Sequence, residues 1–194
     1  MSFYSFVKTV VYGVLKPLYR IETIGKDNFP AKGAVLLCAN HIALLDPPVV
    51  GITAPRPVHF MAKDEIFSVP LLGKLVSNLN AFPVKRGMSD REALRKGLSI
   101  LKDGKVLGLF PEGTRSKTGE LGQGLAGAGF FALRSDALIV PCAVIGPYKP
   151  FSKLKVVYGK PVDFTGLREK KAAADEATEL IMKEIRKLII EHKS

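Results

Sequence analysis

A chain of 194 residues with 47% apolar and 24% charged residues can build a full core, which excludes a mainly disordered protein. Lys and Arg number 29 against 18 Asp and Glu, and the net charge of +11 points to an anionic partner: nucleic acid, an anionic membrane, a phosphorylated substrate or an acidic protein. No run of 18 uninterrupted apolar residues occurs, so a regular transmembrane helix is not expected.

The first twenty residues form a segment of their own. They hold Lys8, Lys16 and Arg20 and no acid. Phe3, Phe6, Val7, Val10, Val11, Val14, Leu15 and Leu18 recur at three- and four-residue steps, which predicts a helix with one apolar stripe. Lys8, Tyr12, Lys16 and Arg20 follow at four-residue steps on another face. Such a helix suits a lipid interface, its cations reaching headgroups; docking on its own domain explains the same pattern. Lysine interrupts the apolar stretch and no small-residue cleavage site follows, which argues against a secretory signal.

From Ile21 onward short β-rich runs appear at 34–39, 58–62, 80–84, 106–110, 138–145 and 154–158. Helical patterns fall at 47–53, 70–77, 89–103 and 125–134, and a last helix is predicted over 168–192. The alternation predicts an α/β fold with a mostly parallel central sheet flanked by helices. The division expected is 1–20 as a membrane-anchoring amphipathic helix and 21–194 as one α/β domain. Cys38 and Cys142 sit in apolar runs and read as buried thiols of a reducing compartment.

Of the three histidines, His59 lies in a strand and His192 in the charged tail, both ordinary structural places. His41 follows an apolar strand and opens Asn40-His41-Ile42-Ala43-Leu44-Leu45-Asp46-Pro47-Pro48. Ligands of open α/β sheets bind at strand C-terminal ends. Asp46 is five residues on, a spacing that separates the side chains on a regular helix or strand. They meet only if the chain bends, and Asp46-Pro47 supplies a helix start at which it can. Asp46 could then accept one imidazole N–H and leave the other nitrogen free as a base. Without the bend, Asp46 is a helix cap and His41 a loop residue.

Phe110-Pro111-Glu112-Gly113-Thr114-Arg115-Ser116 follows another strand and has the composition of an oxyanion or phosphate cradle, or of a simple polar turn. Phe82-Pro83-Val84-Lys85-Arg86-Gly87 also places cations after a strand, and Lys63 closes a further one. A parallel sheet would bring His41, Lys63, Arg86 and Arg115 to one edge. Gly122-Gln123-Gly124-Leu125-Ala126-Gly127 fits a dinucleotide pattern, but follows no strand directly and has no acid about 20 residues on. There is no metal-ligand cluster, P-loop or serine-hydrolase elbow. Nucleic acid would suit the charge, but Trp is absent and no basic stretch is interleaved with aromatics.

Asn40-His41-x4-Asp46, the Phe82–Gly87 and Phe110–Ser116 stretches and Ile139-Val140-Pro141-Cys142 resemble, in order and spacing, the four blocks of the glycerolipid acyltransferases. The resemblance runs from about Gly25 to Asp163. It implies transfer of a fatty acyl group from an acyl carrier protein or coenzyme A thioester to the 2-hydroxyl of lysophosphatidic acid, making phosphatidate, with no metal or prosthetic cofactor. By the same resemblance His41 is the base and Asp46 its orienting partner, while Arg86, Arg115 and Lys63 hold the acceptor phosphate. Asn40, Gly87, Pro111, Glu112, Gly113, Thr114, Ser116 and Pro141 shape the site, Pro141 in the acyl-facing block. Family members often carry a basic residue before the helix after the third block; Gly122-Gln123-Gly124-Leu125 offers none, which leaves a further phosphate or carrier contact unsupported. The substrates imply peripheral attachment to the cytoplasmic face of the membrane and no nucleic-acid partner. The competing readings are a relative that uses glycerol-3-phosphate or another lysolipid, and a non-catalytic basic membrane- or nucleic-acid-binding module.

Overall fold

A computed structural model describes residues 3–85 and 90–193. In chain order the elements are α1 (Phe3–Leu18), β1 (Glu22–Ile24), a 3₁₀ turn (Lys26–Asn28), β2 (Val35–Ala39), α2 (Asp46–Thr53), β3 (Val58–Lys63), α3 (Asp64–Phe67), α4 (Leu72–Asn78), β4 (Phe82–Val84), α5 (Arg91–Lys102), β5 (Val106–Leu109), α6 (Gly127–Leu133), β6 (Leu138–Ile145), β7 (Lys155–Tyr158), α7 (Thr165–Glu169) and α8 (Ala174–His192).

The strands form one seven-stranded sheet in the order β1-β7-β6-β2-β5-β3-β4. Every neighbouring pair is parallel except β6 with β7. β2 is buried throughout, flanked by β5 and β6, so its near-continuous apolar run is that of a strand covered on both faces. On one side of the sheet Leu36, Leu107 and Ile139 pack under α5, α6 and α8 with Phe131, Ile181 and Ile185. On the other, Val35, Leu37, Val140 and Cys142 pack under α2 with Val49 and Val50. Cys38 and Cys142 are free thiols in these layers, and burial raises the pKa of both, which keeps them protonated.

α1 packs against α2 while leaving half of itself bare. Val11, Tyr12 and Leu15 pack on the α2-side core, whereas Phe3, Phe6, Val10 and Val14 are exposed. The face expected to reach headgroups is partly the docked one. Lys8 turns inward and donates to the Ala54 carbonyl at 2.5 Å, closing the C-terminus of α2, where the helix dipole favours a cation. The Tyr4 hydroxyl accepts the Val58 N–H at 3.2 Å and ties α1 to β3.

The sequence reading differs from the structure in several elements. β1 is a three-residue edge strand and α3 a single turn, both too short to show periodicity. The last helix is two: Lys171 has a φ of +52°, and the break falls between α7 and α8. Arg168, read as the start of that helix, donates instead from α7 to the Ala132 and Ala137 carbonyls. The strand expected from residue 80 begins at Phe82, because Asn80 takes a φ of +64° in the turn after α4.

Candidate active site

β2 delivers Asn40 and His41 at its C-terminal end. The Asn40 amide takes over where the β2 ladder stops, donating to the Val144 carbonyl at 2.9 Å and accepting the Val144 N–H at 2.7 Å. The chain then turns sharply into α2, with Asp46 its first residue and Pro47 in its first turn. Asp46 is not an N-cap of the usual sort, because its carboxylate turns back to the residues before it. Oδ2 accepts the Ile42 and Ala43 N–H groups at 2.6 and 2.7 Å and lies 2.7 Å from His41 Nδ1. That reversal is the bend the spacing required.

The pair is dry: His41 is 8% exposed and Asp46 0%. An ionised carboxylate only accepts, so Nδ1 carries the proton it donates and Nε2 keeps its lone pair. Asp46 Oδ1 is satisfied by the Tyr148 hydroxyl, which donates to it at 2.6 Å. Burial, then the adjacent Asp46 charge, drives the Tyr148 phenol well above its ordinary pKa, so it remains a donor.

The segment after β5 grips His41 from the other side. Glu112 is buried; its Oε2 accepts the His41 backbone N–H at 2.7 Å and its Oε1 accepts the Gly122 N–H at 2.8 Å. The Ser116 N–H donates to the His41 carbonyl at 2.8 Å. Gly113 holds the turn at a φ of +66°, and a Cβ there would lie 2.4 Å from Leu125 Cδ1. Pro111 is buried beside it and its carbonyl accepts the Leu125 N–H. The Phe110 ring stacks on the His41 ring with centroids 4.3 Å apart, and Phe60 stacks beyond it at 5.8 Å. The N–H groups of His41, Ile42, Ala43, Gly113 and Ser116 are all committed to holding this frame, so they are not spare donors for a developing oxyanion.

The other residues expected at the site are distributed as follows. Thr114 and Arg115 are exposed on the loop between Glu112 and Ser116, and Arg115 makes no ion pair among the described residues. Lys63 ends β3, two strands from β2 and so about 10 Å across the sheet. Its Nζ is 2.8 Å from Glu65 Oε1, and strand alternation puts it on the face opposite Phe60. Arg86 and Gly87 lie outside the described residues. Pro141 sits mid-strand in β6 beside Cys38, its ring over Gly159 near Leu188 of α8, on the opposite side of the sheet from Val140 and Cys142. The glycine-rich 122–127 stretch spends its first N–H on Glu112, and Gly124 packs against Thr178 and Met182.

Two cavities adjoin this cluster. An apolar one of about 380 Å³ is lined by Leu44 and Pro47, which flank Asp46 in sequence, and by residues of α1, α2, β3 and α4, Phe60 among them. A more polar one of about 600 Å³ borders Asn40 and Ile42 and has Arg186 and Lys193 on its rim. Tyr148, Arg186 and Lys193 are absent from the motif reading. Nothing local marks them, because each reaches the site from more than 100 residues away in sequence.

A buried imidazole–carboxylate pair at the end of a parallel strand, with a glycine-bearing Glu-Gly-Thr-Arg turn clamped to its backbone, is the arrangement on which the comparisons with known proteins bear. Residues 20–145 match the family model described as acyltransferase. The chain belongs to the acyltransferase family. It is 30% identical to the 1-acyl-sn-glycerol-3-phosphate acyltransferase of Bacillus subtilis, over 94% of this chain and 96% of that protein. It is 28% identical to the enzyme of the same name from Borreliella burgdorferi, over 69% of this chain and 54% of that one. The crystal structure of the 1-acyl-sn-glycerophosphate (LPA) acyltransferase from Thermotoga maritima superposes with a TM-score of 0.73 at 24% identity, covering 95% of this chain and 80% of that one. That likeness is one of fold.

Proposed function

We propose that this acyltransferase moves a fatty acyl group from a thioester of acyl carrier protein or coenzyme A to the sn-2 hydroxyl of 1-acyl-glycerol-3-phosphate, giving phosphatidate. The observation that carries the reading is the 2.7 Å contact between His41 Nδ1 and a fully buried Asp46, which leaves Nε2 as the free base. The full-length similarity to a protein named for this reaction supports the choice of substrates.

A thioester is already activated, so the task is to sharpen the alcohol. Neutral His41 takes the hydroxyl proton on Nε2 as the lipid oxygen attacks the thioester carbonyl, a contribution of about 10²–10⁴ in rate. Asp46 balances the imidazolium that forms. The tetrahedral oxyanion collapses, the C–S bond breaks, and the thiolate leaves and takes up the proton from His41. No residue is acylated on this route. Arg115 and Arg86 hold the acceptor phosphate, and Lys63, on the opposite face and paired with Glu65, adds positive charge to the same sheet edge. The apolar cavity lined by Leu44, Pro47 and Phe60 lies in the volume range of small-molecule sites and has the lining an acyl chain needs.

Among the described residues no helix is long and apolar enough to cross a membrane. The bare stripe Phe3, Phe6, Val10 and Val14 of α1 is instead suited to lie in a lipid surface, which the net positive charge would draw to the anionic cytoplasmic leaflet. The deciding test presents lysophosphatidic acid and glycerol-3-phosphate as acceptors with one acyl donor, and follows thiol release and lipid product. Phosphatidate formed from lysophosphatidic acid at a kcat/KM well above that for glycerol-3-phosphate is expected. A preference for glycerol-3-phosphate would move the chain to a different acceptor class.

A further inference from the structure

The turn between α3 and α4 is more apolar than its position in water warrants. Val69, Leu71, Leu72 and Leu75 are all exposed, Leu71 at 86%. Leu71 takes φ +65° and ψ −49°, and the Leu72 N–H donates to the Pro70 carbonyl at 2.7 Å. This is a γ-turn of the rare positive-φ form, a strained site for a leucine. Glycine or asparagine would suit such a turn in water. Here a bulky aliphatic side chain stands at its tip.

The turn borders the apolar cavity lined by Leu44, Pro47 and Phe60. Leu72, Val76 and Leu79 line that cavity from the α4 side, and Tyr4, Val7 and Val11 line it from α1. On each element a bare apolar stripe adjoins the lining one: Leu71 and Leu75 on one, Phe3, Phe6, Val10 and Val14 on the other. Neither 3–18 nor 69–80 contains an acid, while they hold Lys8, Lys16 and Lys74. The acid nearest in sequence to the first is Glu22, paired with Lys153, and to the second Glu65 on α3, paired with Lys63.

We propose that the 69–75 turn is a second lipid-inserting element, and that it and α1 enter one anionic leaflet on either side of the cavity mouth. An acyl chain would then pass between bilayer and cavity without crossing water. The inference rests on the lipid-acyltransferase reading above. A bilayer fits the patch better than a protein partner. The exposed apolar side chains Val69, Leu71, Leu72 and Leu75 carry no hydrogen-bonding group, and the one charge among residues 69–75, the exposed Lys74, suits anionic headgroups, whereas a protein interface carries a polar rim and roughly one hydrogen bond per 100–200 Å².

The test places a thiol at Leu71→Cys, at Val14→Cys on α1 and at Glu179→Cys on the far side of the sheet, in the full chain. Cys38 and Cys142 are fully buried, so an environment-sensitive fluorophore labels the introduced site. The labelled proteins are mixed with phosphatidylglycerol–phosphatidylethanolamine vesicles whose acyl chains carry bromine. The expected result is a blue shift and bromine quenching at both position 71 and position 14, and neither at 179. Quenching at 14 with position 71 still in water overturns the second element and leaves the acyl-transfer reading intact. A shift at 71 with an acidic carrier protein but not with vesicles overturns it in favour of protein docking. Loss of transfer to lysophosphatidic acid would instead defeat the underlying reading, which the acceptor assay reports separately. The triple variant Val69→Ser/Leu71→Ser/Leu75→Ser, none of whose positions lines the cavity, should weaken vesicle binding by about tenfold or more. It should keep its turnover on detergent-dispersed acceptor with a short-chain coenzyme A thioester. Unchanged vesicle affinity in a folded triple variant overturns the proposal.

Discussion

Four donors converge on one carboxylate. Asp46 accepts from His41, Ile42, Ala43 and Tyr148, and with no exposure it has no water to fall back on. Tyr148 is the donor that can be removed without touching backbone or the imidazole. Tyr148→Phe keeps the ring, which packs edge-on against Tyr19 at 5.4 Å, and leaves Oδ1 unpartnered. A hydrogen bond to a charged group contributes about 1.5–3 kcal/mol, so a roughly tenfold or greater fall in kcat is expected, with KM for donor and acceptor unchanged. Steady-state kinetics beside a thermal melt checks this; a wild-type kcat would remove Tyr148 from the positioning of the dyad. The His41–Asp46 contact was legible in the sequence as one of two readings: the bend at Asp46-Pro47 allowed it, and the family resemblance favoured it over a plain helix cap. Tyr148 and Glu112 were not legible as partners. Their contacts close loops of 102 and 71 residues, and no local pattern encodes which distant side chain arrives.

At the scale of elements, close helix packing holds the turn that grips His41. Gly129 in α6 lets α8 approach until a Cβ would stand 1.8 Å from the Ala174 carbonyl oxygen. Its N–H donates to Thr178 Oγ1 at 2.9 Å, and that hydroxyl donates to the Leu125 carbonyl at 3.1 Å. Gly129→Ala must push the helices apart. Overpacking costs about 1–3 kcal/mol, a fall in Tm of roughly 2–10 °C for a chain this size. Because Leu125 also donates to Pro111, activity should fall with stability; an unshifted melt would contradict the packing argument. The long periodic elements were readable from sequence, α1, α5 and β6 among them. Three kinds of feature were not. β1 and α3 are too short to carry a period; the α7–α8 break is set by one left-handed residue; and Lys8 turned inward because a helix terminus offered its cation a carbonyl.

Across the whole molecule, parallel pairing does the gathering. β2, β5, β3 and β4 are mutually parallel neighbours, so the segments after them emerge on one edge, where His41, the Glu112–Ser116 turn, Lys63 and Lys85 stand. Alternating strands and helices announced that edge in the sequence. Which residues on it touch is decided by strand order, which the alternation does not specify; Lys63 ends two strands from His41 and pairs with its own neighbour Glu65. We propose that a buried imidazole, held by Asp46, takes the proton of the acceptor hydroxyl. It is tested most directly by His41→Ala, measured as thiol release from an acyl thioester with and without lysophosphatidic acid, beside a melt that shows the variant folded. We expect the acceptor-dependent rate to fall by about 10²–10⁴-fold or more with the fold retained. Near-wild-type turnover in a folded His41→Ala protein would contradict it.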